Sequence, residues 1–497
     1  MVPEPIRRNS PAMRASPAHG TVEVQMRTTP RMFAAALVLA AAAPAPADVV
    51  EATATTVVTA GQQLRGALTG QTPELDTVTP VYELITLSAR DLRNPVFENL
   101  EVVVSGWGAY DLGEVRWNAG TTDNLSGDLT TGYVRGQLFK RALTLRVGRA
   151  YVAAGTGRML QLDGADLLLR LPGGVSVSAF GGVPVAQRFR TRAGVRSWNP
   201  AGGELAYGGR LCWWLALPGA AGRGLDLGAS AVMITDAPAT VWDPRDLALP
   251  PAQRRAISDD GASVRQDVGL DARFQWSAGL VFTANGTYAM EAGRLADLGV
   301  SALWTASQKT FVNLDFRKVA PDLLLSQNSV LSVFTDQERT DVGGGVRYQL
   351  TGSTSVGLDY HALLEPTGEG TKTELGHEAT ARAEWEHGPS RLGGEVSYLE
   401  AGGLGAEKNG WVGGRVFGRR ELGRAFVAGD AQVHSFKQEI NGNKLAVTGV
   451  LSAGYQLGGG WSTVLAGRAG VNPFLEQQAD LLVKLVYNQT YRAREVK

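Results

Sequence analysis

The chain is poor in cysteine and histidine for its length, and neither sign of charge is in excess. Its 497 residues include one cysteine, Cys212, and five histidines, and 48 basic residues balance 48 acidic ones. A single cysteine excludes an intramolecular disulfide and any site built from several cysteines. A nucleic-acid-binding protein would cluster an excess of Lys and Arg, so we predict no nucleic-acid partner.

The motifs of catalysis and metal binding are also missing. The histidines beyond residue 47 are His361, His377, His387 and His434, and none stands in H-x-x-x-H or another metal spacing. Ser435 follows His434 directly, but neighbouring residues of a strand point to opposite faces, which disfavours a serine hydrolase. The sequence has no G-x-S-x-G, no Walker loop and no G-x-G-x-x-G that opens a helix. We therefore predict no enzyme, no catalytic or metal-binding residues and no cofactor.

Long apolar runs are absent, and the one notable short run is N-terminal. Arg27 and Arg31 precede about 12 apolar residues at 32–43, and Ala45-Pro46-Ala47 follows. A bilayer-spanning helix needs about 20 apolar residues, whereas a basic start, a short apolar stretch and a small-x-small site indicate a secretory signal peptide. We predict a signal peptide over 26–47, cleaved near Ala47, and interpret 1–25 as an over-extended start before Met26.

The sequence does contain segments in which apolar and polar residues alternate with a period of two. In "VGLDARFQWS", residues 268–277, apolar residues alternate with Gly269, Asp271, Arg273, Gln275 and Ser277. The same alternation recurs in segments that begin near 311, 341, 355, 378, 426 and 479, which indicates strands and rejects amphipathic helices. The chain has 62 glycines, which is more than ordinary usage. Glycine is depleted in the strands of soluble sheets, so strands this rich in glycine need a special environment.

Short and long breaks alternate between the strands. The short breaks are 140–142, 172–174, 218–224, 277–279, 307–309, 351–353, 387–390, 422–424 and 458–460. The longer connections are 112–130, 187–203, 236–263, 318–335, 365–373, 402–409, 437–443 and 472–478. Outer-membrane barrels have short periplasmic turns and longer outer loops in this way.

We therefore predict an all-β fold, a transmembrane antiparallel up-and-down β-barrel of about 20 strands, or 18 if a weak segment is miscounted. The barrel is assigned to 99–491, with a first strand at 99–112 and a last one at 479–491. Residues 48–98 are predicted to be a periplasmic lead-in, with an extra strand at 82–92 as the alternative, and 492–497 a C-terminal tail. A soluble sheet of this length would split into domains, and lipid demands closure because it offers no hydrogen-bond partners.

The two faces of the predicted strands carry different residues. Aromatic residues near strand ends are assigned to an interfacial girdle facing outer-membrane lipid: Trp276, Tyr288, Tyr348, Trp385, Trp461 and Tyr487. Charged residues on the opposite face are assigned to the lumen: Arg146, Asp271, Arg273, Asp315, Arg317, Arg347, Asp359, Arg382, Glu384, Asp430, Arg468 and Lys484. Their signs are mixed, so the sequence predicts no strong preference for anions or cations.

Residues 83–491 resemble bacterial porin-like outer-membrane barrels, and residues 143–185 are similar to the strand–loop–strand of large myxobacterial-type barrels linked to polysaccharide export. The resemblance implies a channel in the outer membrane of a Gram-negative cell that passes hydrophilic solute. It also implies a narrower role as the exit pore for an exported glycan, working with periplasmic or inner-membrane export components. A structural barrel that anchors a motility or adhesion machine is the alternative. Neither the substrate, the oligomeric state nor a loop that constricts the pore follows from the sequence.

Overall fold

The structure is a computed structural model of the whole chain. It describes residues 47–65, 74–92, 96–113, 125–153, 155, 159–185, 205–219, 222–235, 239–242, 256–260, 264–290, 292–320, 338–366, 373–401, 409–473 and 475–492. The predicted start at 1–25 and nearly all of the predicted signal peptide and C-terminal tail lie outside these residues, so those predictions stay predictions.

The described residues form strands almost throughout. In chain order the strands are β1 Ala47–Arg65, β2 Glu74–Val78, β3 Pro80–Leu92, β4 Asn99–Asp111, β5 Leu125–Leu138, β6 Leu143–Ala153, β7 Met159–Arg170, β8 Val175–Pro184, β9 Leu205–Ala216, β10 Gly224–Thr235, β11 Ala239–Trp242, β12 Ala256–Asp260, β13 Val264–Ser277, β14 Leu280–Ala289, β15 Arg294–Ser307, β16 Thr310–Val319, β17 Arg339–Gln349, β18 Thr354–Pro366, β19 Thr373–His387, β20 Ser390–Ala401, β21 Asn409–Leu422, β22 Ala425–Ile440, β23 Asn443–Gly458, β24 Trp461–Asn472 and β25 Leu475–Arg492. A single 3-10 turn, Pro172–Gly174, separates β7 from β8.

One antiparallel sheet closes on itself. Each wall strand pairs with the next along the chain, and β1 pairs with both β3 and the last strand, β25. The β1–β25 ladder runs from Val49 opposite Arg492 to Ala60 opposite Leu481. Closure leaves no free edge along the wall, which confirms the predicted antiparallel barrel.

The predicted number of strands is wrong. The sheet has 23 strands, of which β2 pairs only with the far end of β1, so 22 form the wall rather than about 20 or 18. The two extra wall strands, β1 and β3, occupy the segment predicted to be a periplasmic lead-in. The outer positions of β1 include Ala52, Ala54 and Thr56, and in β3 the charged Glu83 is on the outer face while Leu84 is on the inner one. Polar and apolar faces therefore differ little, and the period of two is hard to see. The run of Val and Thr in β1 is the strand signal that the pattern obscured.

The nine predicted short breaks all fall between wall strands at one end of the barrel, from the β5–β6 turn to the β23–β24 turn. We call this the short-turn end and the opposite one the loop end. Two predicted longer connections are wrong. Only Asn441 and Gly442 separate β22 from β23, and two residues separate β24 from β25. Asn441 and Gly442 both have positive φ, 50° and 80°, as a two-residue Asn-Gly hairpin requires.

Two further features complete the described chain. Strands β11 and β12 form a separate two-stranded sheet within the β10–β13 connection. Within the described ranges, no helix has the length and apolar character needed to cross a membrane.

Candidate functional site

The strand registers sort the side chains of the wall into two faces, because directly paired residues point to the same face of a sheet. One face, called the apolar face, carries large hydrophobic side chains that are strongly exposed. Its members include Leu211, Leu270, Leu314, Val346, Leu358, Val396, Val416, Leu451 and Leu481. Proteins surrounded by water rarely expose a continuous apolar surface of this kind, so the apolar face indicates contact with lipid or with another protein.

The opposite face, called the polar face, carries the charged residues. The registers link Asp271 to Asn285, Arg317 to Asp341, and Arg382 to Glu395 as direct pairs. All twelve residues assigned to the lumen from the sequence lie on the polar face: Arg146, Asp271, Arg273, Asp315, Arg317, Arg347, Asp359, Arg382, Glu384, Asp430, Arg468 and Lys484.

The polar face is the concave one. Val152, Leu162, Phe180, Ala206 and Val232 come from the five consecutive strands β6–β10 and form one buried cluster on it. Side chains of a curved sheet converge on its concave side and diverge on its convex side, so a shared cluster marks the inside. In addition, Gly155 in the β6–β7 connection lies against the Ser230 hydroxyl of β10, across three intervening strands. The polar face therefore lines the interior of the barrel.

Arginines dominate the accessible part of the polar face from β15 to β25. Arg382 Nη2 lies 2.7 Å from Glu395 Oε2, and Arg415 Nη2 lies 2.5 Å from Asp430 Oδ2. In six such pairs the arginine side chain is 40–65% exposed and its carboxylate partner only 12–24%. The arginines in these pairs are Arg317, Arg347, Arg382, Arg391, Arg415 and Arg468. Glu384 is shared by Arg347 and Arg391, so in these pairs six accessible guanidinium groups face five more covered carboxylates.

Glycine on the polar face lets ion pairs reach across a strand. Arg210 of β9 pairs with Asp271 of β13 over Gly228 of the intervening β10. A Cβ at Gly228 would lie 2.5 Å from the Asp271 carboxylate oxygens and 2.7 Å from Arg210 Nη2. An alanine there would therefore displace the pair. The free thiol of Cys212, one position along the same face, is half-buried.

Three strands bring together a histidine and two carboxylates, which we call the Asp–Asp–His cluster. His361 Nδ1 lies 2.8 Å from Asp341 Oδ1 and 3.6 Å from Asp315 Oδ2. These donor atoms all lie within 4.8 Å of one another, a geometry that could hold a metal ion. The sequence predicted no metal site because the three residues come from β16, β17 and β18 and share no local motif. Only the strand register, with Gly343 opposite both Asp315 and His361, could have revealed the cluster.

The six aromatic residues assigned to the girdle all lie on the apolar face near strand ends. Trp276, Tyr348, Trp385, Trp461 and Tyr487 are at the short-turn end, and Tyr288 is near the loop end. The Trp461 and Tyr487 rings pack with centroids 4.6 Å apart. Further exposed aromatics extend both groups: Trp213, Trp304 and Tyr455 at the short-turn end, and Tyr110, Tyr207 and Tyr360 towards the loop end.

The described structure also separates the residues of the one hydrolase-like dipeptide. His434 pairs with Gly413 on the polar face and packs edge-on against Trp411 at 4.8 Å between ring centroids. Ser435 pairs with Val412 and points to the apolar face. The two side chains therefore do not form a nucleophile and base pair.

No protein-family model matches the chain, and no curated protein is similar to it in sequence. Among solved structures, the mutant ferric enterobactin receptor PfeA of Pseudomonas aeruginosa, in complex with enterobactin, is similar with a TM-score of 0.53. It is 10% identical, over 90% of this chain and 82% of that one. At this identity the likeness shows a shared barrel fold.

Two further solved structures are similar with lower scores. The translocation pore of the P pilus usher PapC has a TM-score of 0.44 and 11% identity, over 89% of this chain and all of that one. The outer membrane protein OpdK of Pseudomonas aeruginosa has a TM-score of 0.40 and 9% identity, over 89% and 99% of the two chains.

Proposed function

We propose that the chain is an outer-membrane channel that passes hydrophilic solute along its polar interior. An apolar face with aromatics near both of its edges fits a bilayer with two interfaces. A strand spacing of about 4.8 Å and a tilt of about 40° give a 22-stranded wall a diameter of roughly 40–45 Å between backbones. Side chains alone cannot fill such a width.

The exposed arginines carry the proposal further, to solutes with negative charge. A solute that moves along the β15–β25 wall meets guanidinium N–H groups first, because the carboxylate partners lie behind them. Arginine binds carboxylate, phosphate and sulfate oxygens through a rigid fork of donors. The channel should therefore favour anions although its interior is formally mixed in charge.

The export of a polysaccharide is the narrower hypothesis, and it depends on the resemblance of residues 143–185. An acidic glycan would suit the arginine-lined wall, and a neutral one would gain nothing from it. Liposomes containing the protein should then admit acidic oligosaccharides faster than neutral ones of equal length. Equal rates would remove the support that the wall gives to this hypothesis.

Planar bilayers provide the decisive measurement. Purified full-length protein should insert with stepwise single-channel conductance, and in a KCl gradient its reversal potential should indicate preference for chloride. Arg382→Glu with Arg415→Glu should shift the reversal potential towards potassium, since two accessible positions of β19 and β21 would then present carboxylates.

The matched control is Arg382→Lys with Arg415→Lys, which retains the charge and should leave the reversal potential near that of the wild type. A folded barrel that never conducts would contradict the channel and favour a structural barrel that anchors envelope machinery. A conducting barrel whose selectivity ignores the Arg→Glu pair would contradict the arginine-lined path alone.

A further inference from the structure

The Asp–Asp–His cluster differs from the other charged groups of the polar face in having no close arginine pair. Arg317 lies directly opposite Asp341 in the register, but its guanidinium contacts Asp297, at 3.7 Å. Elsewhere in the β15–β25 wall, carboxylates such as Glu395 and Asp430 have a guanidinium within 3 Å. Across the described residues of the cluster, the nearest arginine contact is Arg339 Nη2, 3.8 Å from Asp341 Oδ2. Asp315 pairs only with His361 among the residues that the structure describes.

The surrounding register adds more negative charge. Glu378 lies directly opposite His361, and Asp359 lies two residues from His361 along β18 on the same face. Like charges so close together raise one another's energy unless a cation separates them. The cluster thus gathers four carboxylates around one imidazole, with Arg317 and Arg339 as the neighbouring guanidinium groups.

The backbone between the ligands is shaped for this arrangement. Gly343 lies between Asp315 and His361 in the register, and a Cβ at that position would overlap the His361 ring. Glycine thus lets the imidazole lie across the wall and approach both carboxylates. Since all three ligands are on paired strands of a closed sheet, their spacing is fixed by the ladder rather than by a loop.

We propose that Asp315, Asp341 and His361 form a binding site for a divalent transition-metal ion, with Zn²⁺ as its representative, on the interior wall of the barrel. One imidazole and two carboxylates suit zinc, nickel or manganese better than the alkaline-earth ions, which prefer oxygen ligands alone. Zinc bonds of about 2.0–2.2 Å put neighbouring ligand atoms about 3.4 Å apart. The 3.6 Å between His361 and Asp315 is close to this spacing, and the 2.8 Å between His361 and Asp341 must lengthen when the ion binds.

The three protein ligands leave the side of the ion towards the interior for water or for a donor group of a solute. Oδ1 of Asp341 faces His361, and Oδ2 lies 3.8 Å from Arg339 Nη2, beyond hydrogen-bond distance. This site is separate from the arginine pairs and does not depend on what passes through the barrel.

Equilibrium dialysis of the detergent-solubilised full-length protein against Zn²⁺ tests the proposal. The wild type should bind one ion per chain that a large excess of Mg²⁺ does not displace. His361→Gln and Asp315→Asn should each weaken binding by about tenfold or more, because each removes one of three ligands. His377→Gln is the matched control, since His377 lies on the apolar face beside the Tyr360 hydroxyl and should bind as the wild type does.

Glycine variants test the geometry separately. Gly343→Ala should weaken zinc binding, whereas Gly357→Ala, on the same face with only the Val346 carbonyl oxygen near its added Cβ, should not. If His361→Gln fails to fold, Asp315→Asn and Gly343→Ala decide the question. Absence of a stoichiometric ion, or equal affinity in the ligand and control variants, would overturn the site. Dialysis requires no conductance, so failure of the site and failure of the proposed channel are separate results.

Discussion

Two arcs of the same interior wall serve different physical ends. In the β6–β10 arc five inward side chains form one apolar, buried cluster, and Phe180 of that cluster lies over Gly208 of the neighbouring strand. In the β15–β25 arc they are charged and accessible, although Phe417 lies over Gly393 in the same way. The same alternation of inward and outward residues thus gives a packed apolar cluster in one arc and an accessible polar surface in the other.

The difference teaches that position on the inner face does not by itself define a lining residue. Arg146 and Arg382 both point inwards, but the Arg146 side chain is 21% exposed and the Arg382 side chain is 50% exposed. The first helps to hold β6 to β7 through Asp166, and only the second offers much surface to a solute. Function in this barrel should therefore concentrate in the later strands.

The largest expected effect on stability comes from removing a ring from the buried cluster of the β6–β10 arc. Phe180→Ala should lower the free energy of unfolding by about 3–5 kcal/mol, the usual cost of deleting a buried phenylalanine ring. Phe417→Ala is the matched control on the accessible arc, and it should cost less than half as much because its ring is only partly covered. Denaturant unfolding in detergent micelles measures both, and equal losses would erase the distinction between the arcs.

A smaller effect is expected from the arginines. The Arg149 guanidinium holds both Asp163 oxygens at 2.7 Å and contacts Asp128 at 3.1 Å. Its side chain is only 14% exposed, so Arg149→Gln should destabilise the protein by about 1–3 kcal/mol. Arg382→Gln should cost at most about 1 kcal/mol, since exposed ion pairs contribute little. The same unfolding measurement compares them, and the reverse order would show that burial of the arginine does not set the cost of losing its ion pair.

The smallest effect is expected at the end of β21. Arg419 pairs with Glu421 at 2.7 Å, but both side chains are about half exposed. Glu421→Gln should therefore change the unfolding free energy by no more than about 0.5 kcal/mol. A loss above 1 kcal/mol would show that exposed pairs also brace the wall, and the contrast between the arcs would be weaker than proposed.

The sequence predicted the fold class because inward charge and outward hydrophobicity contrast strongly in strands such as β13 and β18. It missed β1 because outer alanines and a threonine blur that contrast, and it misassigned β3, where Glu83 lies on the outer face. It also missed the β22–β23 hairpin although Asn441-Gly442 is a strong turn signal. The contacts between side chains of different strands could not be predicted from the sequence for another reason. Contacts between strands depend on register, which no single segment encodes. This holds for the ion pair of Arg210 and Asp271 over Gly228, for the burial of the Phe180 ring and for the Asp–Asp–His cluster.

Closure by the first and last wall strands has a consequence in time. The backbone N–H of Gln62 donates to the Asp480 carboxylate, 418 positions further along the chain, and β1 finds its second partner only in β25. During synthesis β1 and β3 can pair early, but one edge of the growing sheet stays unsatisfied until the final strand emerges. Contacts between such distant segments form slowly, and an open edge invites pairing with other chains. Deleting β25 would therefore remove the strand that closes the sheet against β1. The unpaired edge of β1 must be kept from pairing with other chains until β25 is in place.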